Sequence, residues 1–300
     1  MKEATSLGKL YRMGKNILKG SGVENPGLEA ELLISEALGV KVIDIYAHPE
    51  KEIEGEKVSR FKELLLRRAR WEPIAYILGE KEFYSRAVFV TPDVLIPRPE
   101  TEVLVEEAIS LLKDKENRVT STPDPETFFI LDVGTGSGCI AVTLAAEVEN
   151  VNVKVLATDI SLEALSVAKE NAKRHGVSNK VFFILSGSFD CFRERTFDLL
   201  ISNPPYVSRA EFSALPPDVR NYEPKAALIA EEDGLSHLKK IVFESKRVLR
   251  EEGSCMVEIG WGQSNKVIEI FEEAGFCEVA VVKDFSGIER IVKGLSLIHI

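Results

Sequence analysis

ILDVGTGSG, residues 130–138, runs from an apolar segment through Asp132 into three glycines at alternate positions, Gly134, Gly136 and Gly138. The run from Phe128 to Val133 reads as a buried strand, apolar and too short for a helix. The glycines allow a tight turn and close backbone approach. Residues 139–148 then read as a helix. Strand and helix go on alternating. Further strands are expected at 153–158, 181–185, 197–202, 254–259, 277–282 and 288–293. Helices are expected at 162–175, between a Ser161 cap and a Gly176 stop, and at 234–250 and 263–274. Such alternation specifies a doubly wound, mostly parallel α/β sheet.

Upstream the pattern is helical. Asn25-Pro26 is a helix start, Leu28, Leu32, Leu33 and Leu38 follow near helical spacing, and Gly39 closes the segment. A second helix spans about 54–70, with Val58, Phe61, Leu64 and Leu65 on one face. Its terminal Arg67, Arg68 and Arg70 read as a solvated face favoured by the helix dipole, with contact to a partner as the alternative. Residues 83–97, with β-branched and aromatic residues and prolines, read as a hairpin linker. Thr101 to Leu112 is helical, and the polar 113–127 is a surface loop. The last residues, LSLIHI at 295–300, resemble a translated transposon adaptor and are expected to be a non-native tail outside the fold, the alternative being an ordinary apolar tail. The expected division is a helical recognition domain at 1–82, a hairpin at 83–97, a catalytic domain at 98–294 and the tail.

Composition narrows the function. Hydrophobic residues are 45% and charged residues 29% of 300, an ordinary globular balance that excludes disordered or fibrous classes. No apolar run is long enough for a membrane span, and the N-terminus lacks a signal-peptide core, so a cytoplasmic protein is expected. Four scattered cysteines and four scattered histidines form no metal-ligand spacing, and no metal is expected. The net charge is −10. Residues 1–90 carry 15 basic and 14 acidic side chains, whereas the remainder carries 23 and 34. An acidic body argues against stable binding of long nucleic acid. A monomer is the default, since no long heptad pattern stands out.

Two constellations carry the chemistry. Asp159, ending the second strand, is placed to accept both hydroxyls of an adenosine ribose. The glycine spacing is neither the dinucleotide G-x-G-x-x-G nor a phosphate-binding loop. D-x-G-x-G-x-G with an acid after the next strand resembles the S-adenosylmethionine site of Rossmann-like methyltransferases. Asn203-Pro204-Pro205-Tyr206 leaves the fourth strand at the carboxyl end of the sheet, beside the glycine turn. A planar amide or amino group is a poor nucleophile and must be positioned. The Asn203 side-chain carbonyl and the Pro204 backbone carbonyl can hold its two hydrogens. Pro205 removes a competing donor, and Tyr206 offers a stacking face.

The chain resembles the release-factor glutamine methyltransferases, the PrmC/HemK family. The matching segments are PIAYILGEKEFYSRAVFVTPDVLIPRPETEVLVE (73–106), ILDVGTGSGCIAVTLA (130–145), ATDIS (157–161), DLLISNPPYV (198–207), YEPKAALIAEEDGL (222–235) and EIGWGQ (258–263). The resemblance implies a Rossmann-like S-adenosylmethionine-dependent methyltransferase with a small N-terminal helical domain. It implies methylation of the GGQ glutamine of class 1 peptide chain release factors. By position, Gly134, Thr135, Gly136, Ser137 and Gly138 would line the cofactor, and Asp159 would hold its ribose. Phe189 would lie near the adenine, Asn203 would bridge cofactor and substrate, and Pro204, Pro205 and Tyr206 would frame the substrate amide. Arg98, Glu100 and Thr101 would support the methionine end. One position departs: the family's acid before the adenine-contacting residue is Ser188 here, a neutral and weaker acceptor. The stretch 207–233 is too long for a structureless connection and is expected to cover the substrate glutamine. The alternatives are a ribosomal-protein glutamine methyltransferase, an adenine or guanine N-methyltransferase and a non-enzymatic S-adenosylmethionine-binding protein. The acidic catalytic half disfavours the nucleic-acid enzyme, and an intact Asn203–Tyr206 motif disfavours the non-enzyme.

Overall fold

The computed structural model describes residues 5–119, 127–148, 152–231 and 234–297. The chain forms two units, one of residues 1–80 with 216–222 and one of 81–215 with 223–300. The first holds α1 (Leu7–Gly20), α2 (Pro26–Leu38), α3 (Val42–Ala47), α4 (Gly55–Ala69) and α5 (Ile74–Leu78). β1 (Thr5–Ser6) pairs with β2 (Glu52–Ile53). Pro26 starts α2, although the Asn25 side chain makes no cap bond, and Gly39 ends it at φ 67°. The buried stripe of α2 is Ala30, Leu33, Ile34 and Leu38, while Leu28 faces solvent. In α4 the expected Val58, Phe61, Leu64 and Leu65 are buried.

The arginine cluster is not a solvated face. Arg68 is 5% exposed, pairs with Glu29 and lies 3.9 Å from Asp218. Arg67 donates from Nε to Glu72 at 2.8 Å, and only Arg70 remains exposed. A desolvated guanidinium needs carboxylate partners, and one of them comes from the 216–222 segment. Tyr222 of that segment donates its hydroxyl to the Arg70 carbonyl at 2.8 Å.

The second unit begins beside a hairpin of β3 (Glu80–Phe83) and β4 (Arg86–Phe89), whose turn residues Tyr84 and Ser85 have φ of 49° and 58°. Both positions of such a two-residue turn require the left-handed region. α6 (Pro99–Val119) runs past the expected end at Leu112, because Lys and Glu in the polar stretch favour helix. Residues 120–126 of the expected loop lie outside the described residues.

The sheet comprises β5 (Phe128–Val133), β6 (Val153–Asp159), β7 (Val181–Leu185), β8 (Phe197–Ser202), β9 (Leu249–Glu258), β10 (Cys277–Lys283) and β11 (Glu289–Ser296). Its order is β10-β11-β9-β8-β5-β6-β7. The pairs among β5 to β9 are parallel, and β11 runs antiparallel to both neighbours. Ile130, Leu131, Val155, Leu199, Leu200 and Val257 have no exposed surface, as strands covered on both faces require. α7 (Cys139–Glu147) and α8 (Leu162–Arg174) follow β5 and β6. Ser161 caps α8 by accepting the Ala164 N–H at 3.0 Å. α11 (Ser236–Val248) and α12 (Ser264–Glu273) flank β9 in sequence. From β5 the chain goes to β6 and β7 on one side and then crosses to β8 on the other. That reversal opens a crevice at the carboxyl ends of β5 and β8.

The stretch 207–233 is not structureless. Ser208 and Glu211 form a capping box that starts α9 (Arg209–Phe212). α10 (Pro217–Tyr222) and a 3-10 turn at Lys225–Ala227 follow, and Val207 bridges to Ile229. At the other end, Leu295 and Ser296 pair with Ser254 and Gly253, so the tail joins the fold at its first two residues. Residues 298–300 lie outside the described residues. No described helix is long and apolar enough to cross a membrane.

Candidate active site

The glycine turn is built on backbone bonds. Gly134 and Thr135 both donate their N–H to the Thr158 carbonyl at 2.8 Å, and Gly138 donates to the Thr135 carbonyl at 2.8 Å. Gly138 has φ 78°, and a Cβ there would stand 2.9 Å from the Ala168 Cβ. Only glycine lets α8 come this close. Asn171, fully buried on α8, accepts the Phe89 N–H at 2.7 Å and donates to the Phe89 and Ser137 carbonyls, both at 2.8 Å. It ties β4 to the turn.

Asp159 receives the Gly136 N–H on one oxygen at 2.9 Å and the Ser161 N–H on the other at 3.0 Å. Its carboxylate is thereby aimed along the wall of a cavity of about 500 Å³. Gly134, Gly136, Ser188, Phe189, Asn203, Pro204 and Pro205 line the same cavity. Seven expected residues therefore meet in one place: Gly134, Gly136, Asp159, Phe189, Asn203, Pro204 and Pro205. Thr135, Ser137 and Gly138 do not line the cavity. The first two are 4% and 2% exposed and sit beneath the turn, where Thr135 donates its hydroxyl to Asp132 at 2.6 Å. Tyr206 is not a cavity wall either.

The residues fit S-adenosylmethionine. A Cβ added to Gly134 or Gly136 would meet nothing within 4 Å, so both glycines leave open a cradle that side chains would fill. Asp159 offers acceptors for a ribose diol, and Ile160 and Phe189 offer an apolar wall for a purine. The Ser188 hydroxyl donates to Asp190 at 2.5 Å and accepts the Asp190 N–H at 3.2 Å, leaving one lone pair as a neutral acceptor.

Behind Asn203 lies a polar network. Asn203 Nδ2 donates to Thr101 Oγ1 at 3.0 Å, and Thr101 donates to Glu258 Oε2 at 2.6 Å. The Tyr206 hydroxyl donates to Glu258 Oε1 at 3.3 Å. Gln263 donates from Nε2 to the Tyr206 carbonyl at 3.1 Å and accepts the Gly260 N–H at 2.8 Å. Gly234, at φ 77°, leaves no room for a Cβ, which would stand 2.6 Å from the Tyr206 carbonyl oxygen. Arg98 pairs with the buried Glu223 at 2.6 Å, and the other Glu223 oxygen accepts the Ile96 N–H at 3.2 Å. Glu100 lies 3.7 Å from Arg290 at the surface. Of the three expected supporting residues, Thr101 touches the Asn203 amide, and Arg98 and Glu100 act on other acids and bases.

Burial raises two acids here. Glu258 is pushed up to about 7 by desolvation, reinforced by Glu100 and opposed by the Thr101 and Tyr206 hydrogen bonds and Arg290. Asp132 is likewise pushed up to about 7 by burial, with the Asp159 charge adding and the Thr135 bond opposing. The Tyr206 phenol is raised by burial and by Glu258. Glu258, Glu223, Gln263 and Asn171 were not singled out from sequence. Glu258 did carry a signal: like Asp132, it is a lone acid closing an apolar strand.

Comparison with known proteins identifies the family. Residues 9–79 match the PrmC N-terminal domain family, and 119–215 match the methyltransferase small domain family. The chain is 39% identical to a release factor glutamine methyltransferase of Geobacter sulfurreducens, over 97% of each chain. It is 40% identical to another of Nitratidesulfovibrio vulgaris, over 94% of this chain and 92% of that one. The catalytic domain of hMettl16 shares the fold, with a TM-score of 0.54 at 18% identity over 77% of this chain and 81% of that one. A methyltransferase sheet with a glycine cradle, a PrmC-type helical region and relatives matching over nearly the whole length place the chain in the release factor glutamine methyltransferase family.

Proposed function

We propose that this chain transfers the methyl group of S-adenosylmethionine to the side-chain amide nitrogen of the GGQ glutamine in class 1 peptide chain release factors, forming N5-methylglutamine. The observation that carries this reading is the state of the Asn203 amide. Its N–H is committed to Thr101, and its Oδ1 has no partner among the described residues. An uncommitted carbonyl on a cavity wall is an acceptor for an incoming NH₂ group. The Pro204 carbonyl supplies a second acceptor, and Pro205 contributes no N–H to compete.

When bound, S-adenosylmethionine supplies an electrophilic methyl on a sulfonium sulfur. Gly134 and Gly136 cradle it, Asp159 holds its ribose and Phe189 borders its adenine. Asn203 and Pro204 fix the substrate nitrogen by both hydrogens, so its lone pair is aimed instead of left to rotate. Tyr206, immobilised by Glu258 and Gln263, supports the loop that presents them. No strong base is required, because the proton leaves a nitrogen that has become cationic.

The helical unit, matched by the PrmC N-terminal family, binds the release factor in this reading. The same feature favours a release factor over a ribosomal protein. A cytoplasmic monomer without stable nucleic acid fits the acidic catalytic half. The test is methyl-labelled S-adenosylmethionine with a class 1 release factor and with a form whose GGQ glutamine is alanine. Label on that glutamine in the first and none in the second is expected. Cofactor binding without transfer to either would overturn the substrate and leave the fold standing.

A further inference from the structure

We propose that Glu258 sets the direction of the hydrogen-bond chain that ends on Asn203, and so decides which atom of the Asn203 amide faces the substrate. The proposal rests on the reading that this amide receives the glutamine NH₂. Glu258 is 1% exposed at the end of β9. Nothing in the sheet requires an acid there, and an apolar residue of similar size would be the less costly choice.

An ionised carboxylate only accepts. Thr101 has one hydroxyl proton and gives it to Glu258 Oε2. Its N–H is already used on the Arg98 carbonyl at 3.1 Å. What Thr101 has left for Asn203 is a lone pair, and Asn203 answers with Nδ2. Oδ1 is then the atom left over. With a protonated carboxyl the chain can run backwards. Glu258 donates to Thr101, Thr101 donates to Asn203, and the amide turns its NH₂ toward a substrate that also brings NH₂. The other Glu258 oxygen holds the Tyr206 hydroxyl, so one carboxyl governs both ends of Asn203-Pro204-Pro205-Tyr206. The charged and titratable groups near it are Glu100 of α6, Cys139 of α7, Tyr206 after β8 and Arg290 of β11. Glu258 is a positioning residue that acts through Thr101.

The test measures kcat, the KM for release factor and the Kd for S-adenosylmethionine in five proteins. These are the wild type, Glu258→Ala, Thr101→Val, their double variant and Thr101→Ser. Glu258→Ala and Thr101→Val are each expected to lose about 10²-fold in kcat, the scale of a misplaced reactant, with Kd changed less than about threefold. The double variant should be no worse than the weaker single, since both break one chain. Thr101→Ser, which keeps the hydroxyl, should stay within about fivefold of wild type. A folded Glu258→Ala with wild-type kcat, losses that multiply in the double, or cofactor affinity falling in step with kcat would each overturn the proposal. Should Glu258→Ala not fold, the near-isosteric Thr101→Val against Thr101→Ser decides. A substrate-free readout separates this proposal from the substrate itself. Asn203 side-chain amide protons should show an NMR cross-peak to the Thr101 methyl at pH 8, lost in Glu258→Ala. Its persistence there would overturn the proposal, whereas a wild type inactive on release factor strikes only the substrate reading.

Discussion

Asp198, near the start of β8, and Glu258, at the end of neighbouring β9, are buried acids of one sheet held in opposite ways. Asp198 receives Arg250 Nη1 on its two oxygens at 3.0 and 3.1 Å and the Phe129 N–H at 2.8 Å. Among the described residues, Glu258 receives only the hydroxyls of Thr101 and Tyr206. At the amino ends of the strands, charge is neutralised where it is buried, and the pair serves the fold. At the carboxyl ends, Glu258 and Asp132 are buried against hydroxyls, and both are raised to about 7 by desolvation. An unneutralised buried acid opposes folding, so its presence beside Asn203 and the glycine turn is explained by what it positions.

Four measurements can break or sharpen this contrast. The largest effect belongs to Asn203→Ala, expected to lower kcat by about 10³-fold, the upper range for losing one oriented polar contact at a reacting centre. Its melting temperature and cofactor affinity should stay near wild type, and a comparable loss of stability would erase the distinction between the two ends. Asp198→Asn is the converse. It should cost about 2–3 kcal/mol by urea unfolding, below the full buried-pair figure because Arg250 is partly exposed. Folded protein should keep its kcat.

Next is the pH dependence of Glu258→Gln. The carboxyl holds its proton to about 7 when folded, against an ordinary value of 4.5. The folded state therefore binds more protons than the unfolded state in between, and stability contributed by this group falls as pH rises through that window. The variant, which does not titrate there, should gain about 2–3 kcal/mol on wild type between pH 5 and pH 8. Asp132 titrates alike in both proteins and cancels. A pH-independent difference would mean that Glu258 is ionised throughout. The smallest effect is Ser188→Ala, expected to weaken S-adenosylmethionine by about three- to fivefold in calorimetry, the worth of one neutral hydrogen bond.

What the sequence made legible was local. Gly134, Gly136, Asp159 and Asn203 announce themselves through spacing, because the turn, the strand end and the loop exit are each made within a few residues. Glu258 and Asn171 take their meaning from partners far along the chain, at Thr101 and Phe89, which no local pattern brings together. The family resemblance implies Thr135 and Ser137 at the cofactor along with the glycines, yet the turn alternates its faces and buries them. The polarity of residues 113–119 reads as loop, whereas Lys and Glu are good helix formers and α6 runs on through them. The arginines of α4 read as solvated from the helix alone, because Asp218, an acid supplied by the later segment, lies far along the chain.

That segment, 216–222, leaves the catalytic part of the chain after the Asn203–Tyr206 loop, completes the helical unit through Asp218 and Tyr222, and returns at Glu223. The helical unit is therefore not a cassette. A chimera joined at residue 80 would import helices whose Arg68 expects an acid that the host must also supply, in register, from the stretch between Tyr206 and Gly234. Exchange of the helical unit between relatives takes two coordinated cuts, and a single crossover at residue 80 should yield a protein of lowered stability.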